Sequence, residues 1–198
     1  MAIEFGTSAS IRQRVSAGEA VDVVFATTEV AGELAGAGHL AADLLTPLGR
    51  AGIGVGIRAG ARHPDIATPA AIEQTLLAAK SVTYAQDGAS RVHIERMFER
   101  LGVAAELKAK TLLEQGSVRA AAKVVAGEAE LLFTLVSEIL PVAGMELVGP
   151  LPAEFQSYVS FAAALGTRAA NREAARALID CVAAPATAAT FAAQGVER

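Results

Sequence analysis

Short β-rich runs alternate along this chain with amphipathic helical segments, and this alternation restricts the fold more than any other feature of the sequence. Continuous apolar runs predict buried strands at residues 21–26, 53–57 and 131–136. Helical segments separate them, and one begins at Pro69 directly after Thr68, a typical helix start. Strands that alternate with helices indicate the α/β class, with mainly parallel sheets flanked by helices.

The other elements follow from the same signals of periodicity, caps and turn residues. Further strands are predicted at residues 3–5, 81–85, 111–113, 146–148 and 157–161. Helices are predicted at residues 9–17, 29–36, 69–80, 90–101, 118–126, 171–182 and 185–194. Glycine alternates with apolar residues at 52–56, inside a predicted strand, so this segment is not a phosphate-binding loop.

Composition excludes several classes of function. The net charge is −4, Lys and Arg form no block, and aromatic residues make up 5% of the chain with no Trp. Binding to nucleic acid needs a basic face or stacking aromatic rings, so no nucleic-acid partner is expected. No apolar run approaches the roughly 20 residues of a membrane-spanning helix, so no membrane insertion is expected.

Metal and cofactor sites also lack a signature in the sequence. The single cysteine, Cys181, excludes an intramolecular disulfide and a Cys-based zinc site, and its setting fits a helix interior. The three histidines, His39, His63 and His93, lie far apart without the spacing of a metal motif. We therefore predict no metal and no cofactor.

Three turns share one design, in which a strand ends, a small or glycine-rich turn follows and a helix begins with serine. They are residues 5–8, 86–90 and 115–118. Their candidate ligand-binding residues are Thr7, Ser8, Gly88, Ala89, Ser90, Ser117 and Val118. Each turn presents helix N-terminal N–H groups and a hydroxyl, which together attract an anion. The alternative is plain N-capping, for which Ser and Thr are preferred residues.

Charged residues close to these turns suggest two further roles. The arginines that follow the turns either reach an anionic ligand or lie on solvated helix faces, and they are Arg12, Arg14, Arg91 and Arg119. No catalytic motif is evident, so an enzyme is the less favoured interpretation. If the chain is an enzyme, its general base would be His93, Asp87 or Glu138.

The order of these segments resembles the type II periplasmic solute-binding proteins, specifically their molybdate-binding-protein-like branch. The matching segments are residues 5–15 (FGTSASIRQRV) followed by 18–24 (GEAVDVV), 114–118 (EQGSV) with 127–130 (GEAE), and 171–180 (NREAARALID) with 185–187 (PAT). The resemblance implies two α/β lobes joined by two hinge strands, with a ligand held in the cleft between them. Lobe one would hold residues 1–48 plus 158–198, and lobe two residues 49–157.

The resemblance also implies which residues contact the ligand. The family's contacts map onto Ser8, the turn at 88–90 and the pair Ser117 and Val118. Molybdate binders of the family use a tyrosine where this chain has Leu135, with Thr134 beside it as a further candidate contact. This departure favours a small organic anion such as a carboxylate over molybdate.

A strand and helix that precede residues 3–5 in the family have no counterpart here. We therefore expect exposed strand edges in lobe one, which would favour self-association. The first residues also lack the basic and apolar regions of a signal peptide. The family is periplasmic, whereas this chain as written is expected to stay in the cytoplasm unless its N-terminus is truncated.

Three functions remain open from the sequence. The leading one is binding of a small anionic solute, a carboxylate or an oxyanion, as the substrate-binding component of an ABC importer, with a permease as partner. The first alternative is an isomerase of a small tricarboxylate, similar to aconitate isomerase, on the same scaffold. The second alternative is a cytoplasmic ligand sensor.

Overall fold

The computed structural model describes residues 2–198, which form nine α-helices, two short 3-10 turns and eight strands. The helices are α1 (Ser8–Ser16), α2 (Thr28–Gly36), α3 (Pro69–Ala78), α4 (Arg91–Arg100), α5 (Ala104–Lys108), α6 (Gly116–Val125), α7 (Val136–Ile139), α8 (Arg172–Ala183) and α9 (Ala188–Ala193). The strands are β1 (Val23–Thr27), β2 (Thr46–Arg58), β3 (Val82–Ala85), β4 (Thr111–Glu114), β5 (Leu131–Leu135), β6 (Met145–Pro150), β7 (Tyr158–Leu165) and β8 (Val196–Glu197). The predicted α/β class, with sheets flanked by helices, is confirmed.

Contacts divide the chain into two compact units. The first holds the residues up to Arg50 together with Val159–Arg198, and the second holds Ala51–Tyr158. In the first unit, β1 pairs antiparallel with β7, with Val24 opposite Ala164. Helices α1 and α2 pack against β1 and bury an apolar core. This unit also contains α8, whose Ile179 is 1% exposed.

One edge of β1 is unpaired within residues 2–198, where β7 is its single partner strand. The Gly166 N–H donates to the Asp22 carbonyl at 2.9 Å. In an antiparallel pair every second residue is hydrogen-bonded to the neighbouring strand, so Val24 and Ala26 also form hydrogen bonds with β7. The peptide groups of Val23 and Phe25 therefore point away from β7. The Phe25 side chain is 40% exposed, and the Thr27 N–H on this edge donates to the Ser8 Oγ.

The strand predicted at residues 3–5 is wrong. These residues adopt no regular secondary structure, and the Phe5 side chain is 92% exposed. A three-residue segment forms a strand only when a neighbouring strand pairs with its backbone, and within the described residues none does.

The second unit contains the parallel pairs of the fold. Strand β3 lies between β4 and β5 and pairs parallel with both. Strand β2 adds antiparallel pairs with β5 and β6. Helix α6 packs against β3, β4 and β5, and its apolar face buries Ala120, Ala121 and Val124. Parallel pairing thus occurs among β3, β4 and β5, which helices connect, whereas β2 pairs antiparallel with β5 and β6.

One strand is longer than the sequence predicts, and two short helices are not predicted. Strand β2 has 13 residues, whereas its apolar run predicts only residues 53–57. Helices α5 and α7 are not predicted, because segments of five and four residues carry too little periodicity. Each is held by one buried side chain, Leu107 or Ile139, both 1% exposed. Among residues 2–198, no helix has the length and apolar character needed to cross a bilayer.

Glycines in β2 leave room for the elements that cover the strand. A Cβ on Gly54 would lie 2.9 Å from the Val136 Cγ2 and 3.0 Å from the Gly149 carbonyl oxygen. A Cβ on Gly56 would lie 2.6 Å from the Met145 side chain. The alternating glycines therefore serve packing against α7 and β6, consistent with their exclusion as a phosphate loop.

We expect Gly54→Ala and Gly32→Ala to change stability in opposite directions. The first forces Val136 and the Gly149 backbone apart and should lower the free energy of unfolding by about 1–3 kcal/mol. Gly32 lies inside α2 with no atom within 4 Å of the added Cβ, so alanine there should raise it by about 0.5–1 kcal/mol. Urea denaturation of both variants checks this, and equal effects would contradict the packing role.

Candidate functional site

Two of the three predicted turns lie side by side in the second unit. The last residues of the parallel strands β3 and β4, Ala85 and Glu114, are register partners. The Gln86 N–H then donates to the Glu114 carbonyl at 2.9 Å, which extends the pairing one residue further. Because both strands end at the same edge, the turns at 86–90 and 115–118 begin next to each other.

Asp87 links the two turns directly. Its Oδ1 accepts a hydrogen bond of 2.8 Å from the Gly116 N–H, the first residue of α6. Gln115, at the N-cap position, makes no side-chain capping bond, so Asp87 caps α6 from the neighbouring turn. Gly116 has a φ of +76°, a conformation that favours glycine. This carboxylate therefore has a structural role in the site, while its role as a base stays a prediction.

The helices that start at these turns differ from most longer helices of the chain. A side chain caps the N-terminus of α1, α2, α3 and α8, and the capping residues are Thr7, Thr27, Thr68 and Asn171. Ser90 occupies the N-cap position of α4 but makes no capping bond, although it is 4% exposed. Plain N-capping therefore does not explain Ser90.

Exposed apolar side chains stand beside the serines of both turns. Val118 follows Ser117 and is 80% exposed, and Val92 follows Ser90 by two residues and is 54% exposed. The N–H groups of Ser117 and Val118 lie in the first turn of α6, where a helix offers no carbonyl partner. The site thus combines unfilled donors with apolar surface, a combination typical of small-ligand sites.

Arg91 forms hydrogen bonds with neighbouring residues of the second unit. Its Nε donates to Glu95 Oε1 at 2.8 Å, and its Nη1 donates to the Gln86 carbonyl at 2.8 Å. Glu95 also lies 3.4 Å from the Tyr84 hydroxyl, and burial together with this carboxylate raises the pKa of Tyr84 to about 12. Arg91 therefore stabilises the turn at 86–90, which favours a structural role for it over contact with a ligand.

The first unit contains the third turn. Thr7 accepts from the Ser10 N–H at 3.2 Å, and the Ser8 Oγ accepts from the Thr27 N–H at 3.1 Å. Thr27 in turn caps α2 through the Val30 N–H. The N-termini of α1 and α2 are thus adjacent, and Thr27 belongs to this region although the turn motif at residues 5–8 does not include it. The signal was present, since Thr27 directly follows a buried run.

The arginines after the first turn are also engaged with carboxylates. Arg12 pairs with Glu33 at 3.2 Å, and Arg14 pairs with Glu4 and Glu19. The hydrogen bond to Arg14 lowers the pKa of Glu19. These contacts favour the interpretation of solvated helix faces for both arginines.

Thr134 is buried in β5 at 1% exposure. Its hydroxyl donates to the Glu138 carboxylate in α7, four residues later. A ligand contact at Thr134 stays a prediction, but in this arrangement its proton is already donated. The same bond occupies Glu138, one of the candidate bases.

His93 lies on α4 at a small cavity of the second unit. The cavity has a volume of about 110 Å³ and is lined by His93, Arg96, Met97, Arg100, Glu154, Phe155, Gln156 and Ser157. A wider depression of about 520 Å³ in the same unit runs between residues 63–67 and 148–152. Across the described residues, no three His, Cys, Asp or Glu side chains cluster in a way that could hold a metal ion.

The chain belongs to the bacterial extracellular solute-binding protein family, whose sequence profile matches residues 1–197. This agrees with the resemblance found in the sequence. A curated relative, an aconitate isomerase from a Pseudomonas species, is 34% identical over 178 residues, which is 89% of this chain and 67% of the relative.

Solved structures share the type II solute-binding fold. The periplasmic molybdate-binding protein of Azotobacter vinelandii superposes with a TM-score of 0.82 at 17% identity, covering 99% of this chain and 86% of that one. The substrate-binding domain of a molybdenum ABC transporter, described as putative, from Clostridium difficile gives 0.72 at 15% identity, covering 100% and 85%. At these identities the likeness establishes the fold alone.

We expect Asp87→Ala to destabilise the second unit and Asp87→Asn to restore most of the loss. Alanine leaves the Gly116 N–H without its acceptor, which should lower the free energy of unfolding by about 1–3 kcal/mol. The asparagine carbonyl oxygen can still accept this bond. Urea denaturation measures both variants, and equal stability of Asp87→Ala and the parent protein would refute the capping role.

Proposed function

We propose that this solute-binding protein binds a small organic anion through the turns at 88–90 and 117–118. In this role it would be the substrate-binding component of an ABC importer, with a permease as partner. Backbone N–H groups and the hydroxyls of Ser90 and Ser117 would replace the hydration shell of the anion. Thr7 and Ser8 stay predicted contacts from the first unit.

One observation carries this proposal. The two helices that begin at the paired turns have no capping side chain from their own N-cap residue, whereas α1, α2, α3 and α8 do. A helix N-terminus carries partial positive charge, and the first-turn N–H groups of Ser117 and Val118 have no carbonyl partner within the helix, and both features favour a bound anion. Asp87 fixes the spacing of the two turns but adds a negative charge, so a singly charged group fits best beside it.

A carboxylate is the favoured ligand class. The relative with 34% identity is named for aconitate, a tricarboxylate, whereas the molybdate binders share only the fold at 17% identity or less. Leu135 also stands where molybdate binders of the family use a tyrosine.

We expect Ser117→Ala and Ser90→Ala each to weaken carboxylate binding by about 5–30-fold, the loss of roughly one hydrogen bond to a charged group. Isothermal titration with citrate, trans-aconitate, molybdate and sulfate measures this. Thr68→Ala is the matched control, since it removes a hydroxyl that caps α3 and should leave the affinity unchanged. Unchanged affinity in both serine variants would disprove the proposed site.

The second candidate is an isomerase of a small tricarboxylate. The 34% identical relative favours it, and so does the position of His93 at a cavity. Such an enzyme removes a proton from one carbon and returns it to another, which requires a base at the ligand. Asp87 and Glu138 already accept hydrogen bonds within the protein, so His93 is the candidate base that the structure leaves most open.

Proton NMR distinguishes the two functions. We expect trans-aconitate incubated with the protein to bind and to remain chemically unchanged, as for a transport receptor. Appearance of cis-aconitate would instead establish the isomerase. In that case His93→Ala should slow conversion by roughly 10²-fold or more and Asp87→Asn should not, because only His93 would move the proton.

A further inference from the structure

We propose that Arg96 and His93 on α4, together with Ser157, form a subsite for a second carboxylate group, so that the protein selects di- and tricarboxylates over monocarboxylates. This inference rests on the proposed function, because the first carboxylate is bound at the turns. It names the substrate class that those turns alone do not define.

The subsite is a cavity whose lining contains two arginines and a histidine against one carboxylate residue, Glu154. Its lining combines His93, Arg96 and Arg100 from one face of α4 with residues 154–157. Its volume of about 110 Å³ is below the ~300 Å³ at which whole-ligand pockets begin, so it fits one small group and not a complete ligand. A carboxylate is a group of this size and of the complementary charge.

Arg96 is free to bind such a group. Within residues 2–198 its side chain makes no hydrogen bond or ion pair, and the same holds for the imidazole of His93. Arg100 differs, since its Nη1 donates to the Glu154 carbonyl at 2.9 Å and its guanidinium lies 4.7 Å from the centre of the Phe155 ring. Arg100 therefore holds the wall of the cavity in place, whereas the guanidinium N–H groups of Arg96 are available to bind a ligand.

The opposite wall is held in place by Gln156. Its Oε1 accepts from the Ile53 N–H at 2.8 Å and from the Ser157 N–H at 2.9 Å, and its Nε2 donates to the Ile53 carbonyl at 3.0 Å. The amide is thus bonded to Ile53 of β2 and to the backbone of Ser157. Ser157 next to it has a hydroxyl with no hydrogen bond among the described residues, which leaves a donor at the cavity.

The spacing along α4 suits a ligand with two carboxylates. His93 and Arg96 follow Ser90 by three and six residues, which places them about 4.5 and 9 Å further along the helix axis at 1.5 Å per residue. Residues three apart on a helix differ by about 60° around its axis, so Ser90 and His93 are neighbours on the helix surface, and so are His93 and Arg96. A short carbon chain together with the length of the arginine side chain covers this distance, so one carboxylate at the turn and another at Arg96 can belong to one molecule.

Arg96→Ala tests the inference against Arg62→Ala. Both variants remove one exposed arginine of the second unit that has no partner among the described residues, but Arg62 lies outside the cavity. The ligands are propane-1,2,3-tricarboxylate and butyrate, titrated into the full chain and followed by thermal unfolding. We expect Arg96→Ala to weaken tricarboxylate binding about tenfold or more and to leave butyrate unchanged. Arg62→Ala should change neither.

The outcomes separate the inference from the function on which it rests. Equal losses in Arg96→Ala and Arg62→Ala, or equal losses for both ligands, would overturn the subsite. Carboxylate binding that is lost in Ser117→Ala but unaffected by Arg96→Ala would overturn the subsite and keep the proposed function. Absence of binding by the parent protein would overturn both. Arg96→Lys should recover part of the affinity, because lysine restores the charge without the bidentate geometry.

Discussion

Strand β2 is the constraint on which the second unit depends. It must pair with β5 on one side and β6 on the other while α7 packs close to its backbone. Gly54 and Gly56 make this possible, since a Cβ at either position would meet atoms at 2.9 Å or less. The same strand gives Gln156 its anchor at Ile53, so the wall of the proposed subsite is fixed by β2 as well.

The geometry of the site follows from parallel pairing. Antiparallel neighbours would place the turns after β3 and β4 at opposite edges of the sheet, whereas parallel neighbours place them together. Asp87 then fixes the distance between the two turns, because its carboxylate accepts a hydrogen bond from the Gly116 N–H. The Asp87 carboxylate therefore lies beside the donors of the proposed site. Its negative charge favours a singly charged group at the turns, with a second carboxylate of the ligand bound at Arg96 in the proposed subsite.

The arginines of this chain differ in whether a carboxylate of the protein pairs with them. Arg12, Arg14 and Arg91 are each paired with a carboxylate and therefore support local structure. Arg96 has no such partner among the described residues. Sequence proximity to a turn pointed to these three arginines and to Arg119, but pairing depends on side chains that the fold brings within reach, such as Glu33 opposite Arg12.

The sequence by itself determined the α/β class, most strands and helices, and the turns before the helices at Ser90 and Ser117, because hydrophobic periodicity and turn residues are local properties. It predicted a strand at residues 3–5 that does not form, since a strand requires a neighbour. The tertiary structure alone decided that Asp87 caps a helix from another turn and that His93 and Arg96 share a cavity with Gln156 and Ser157. Both facts join residues distant in sequence, and only folding sets such distances.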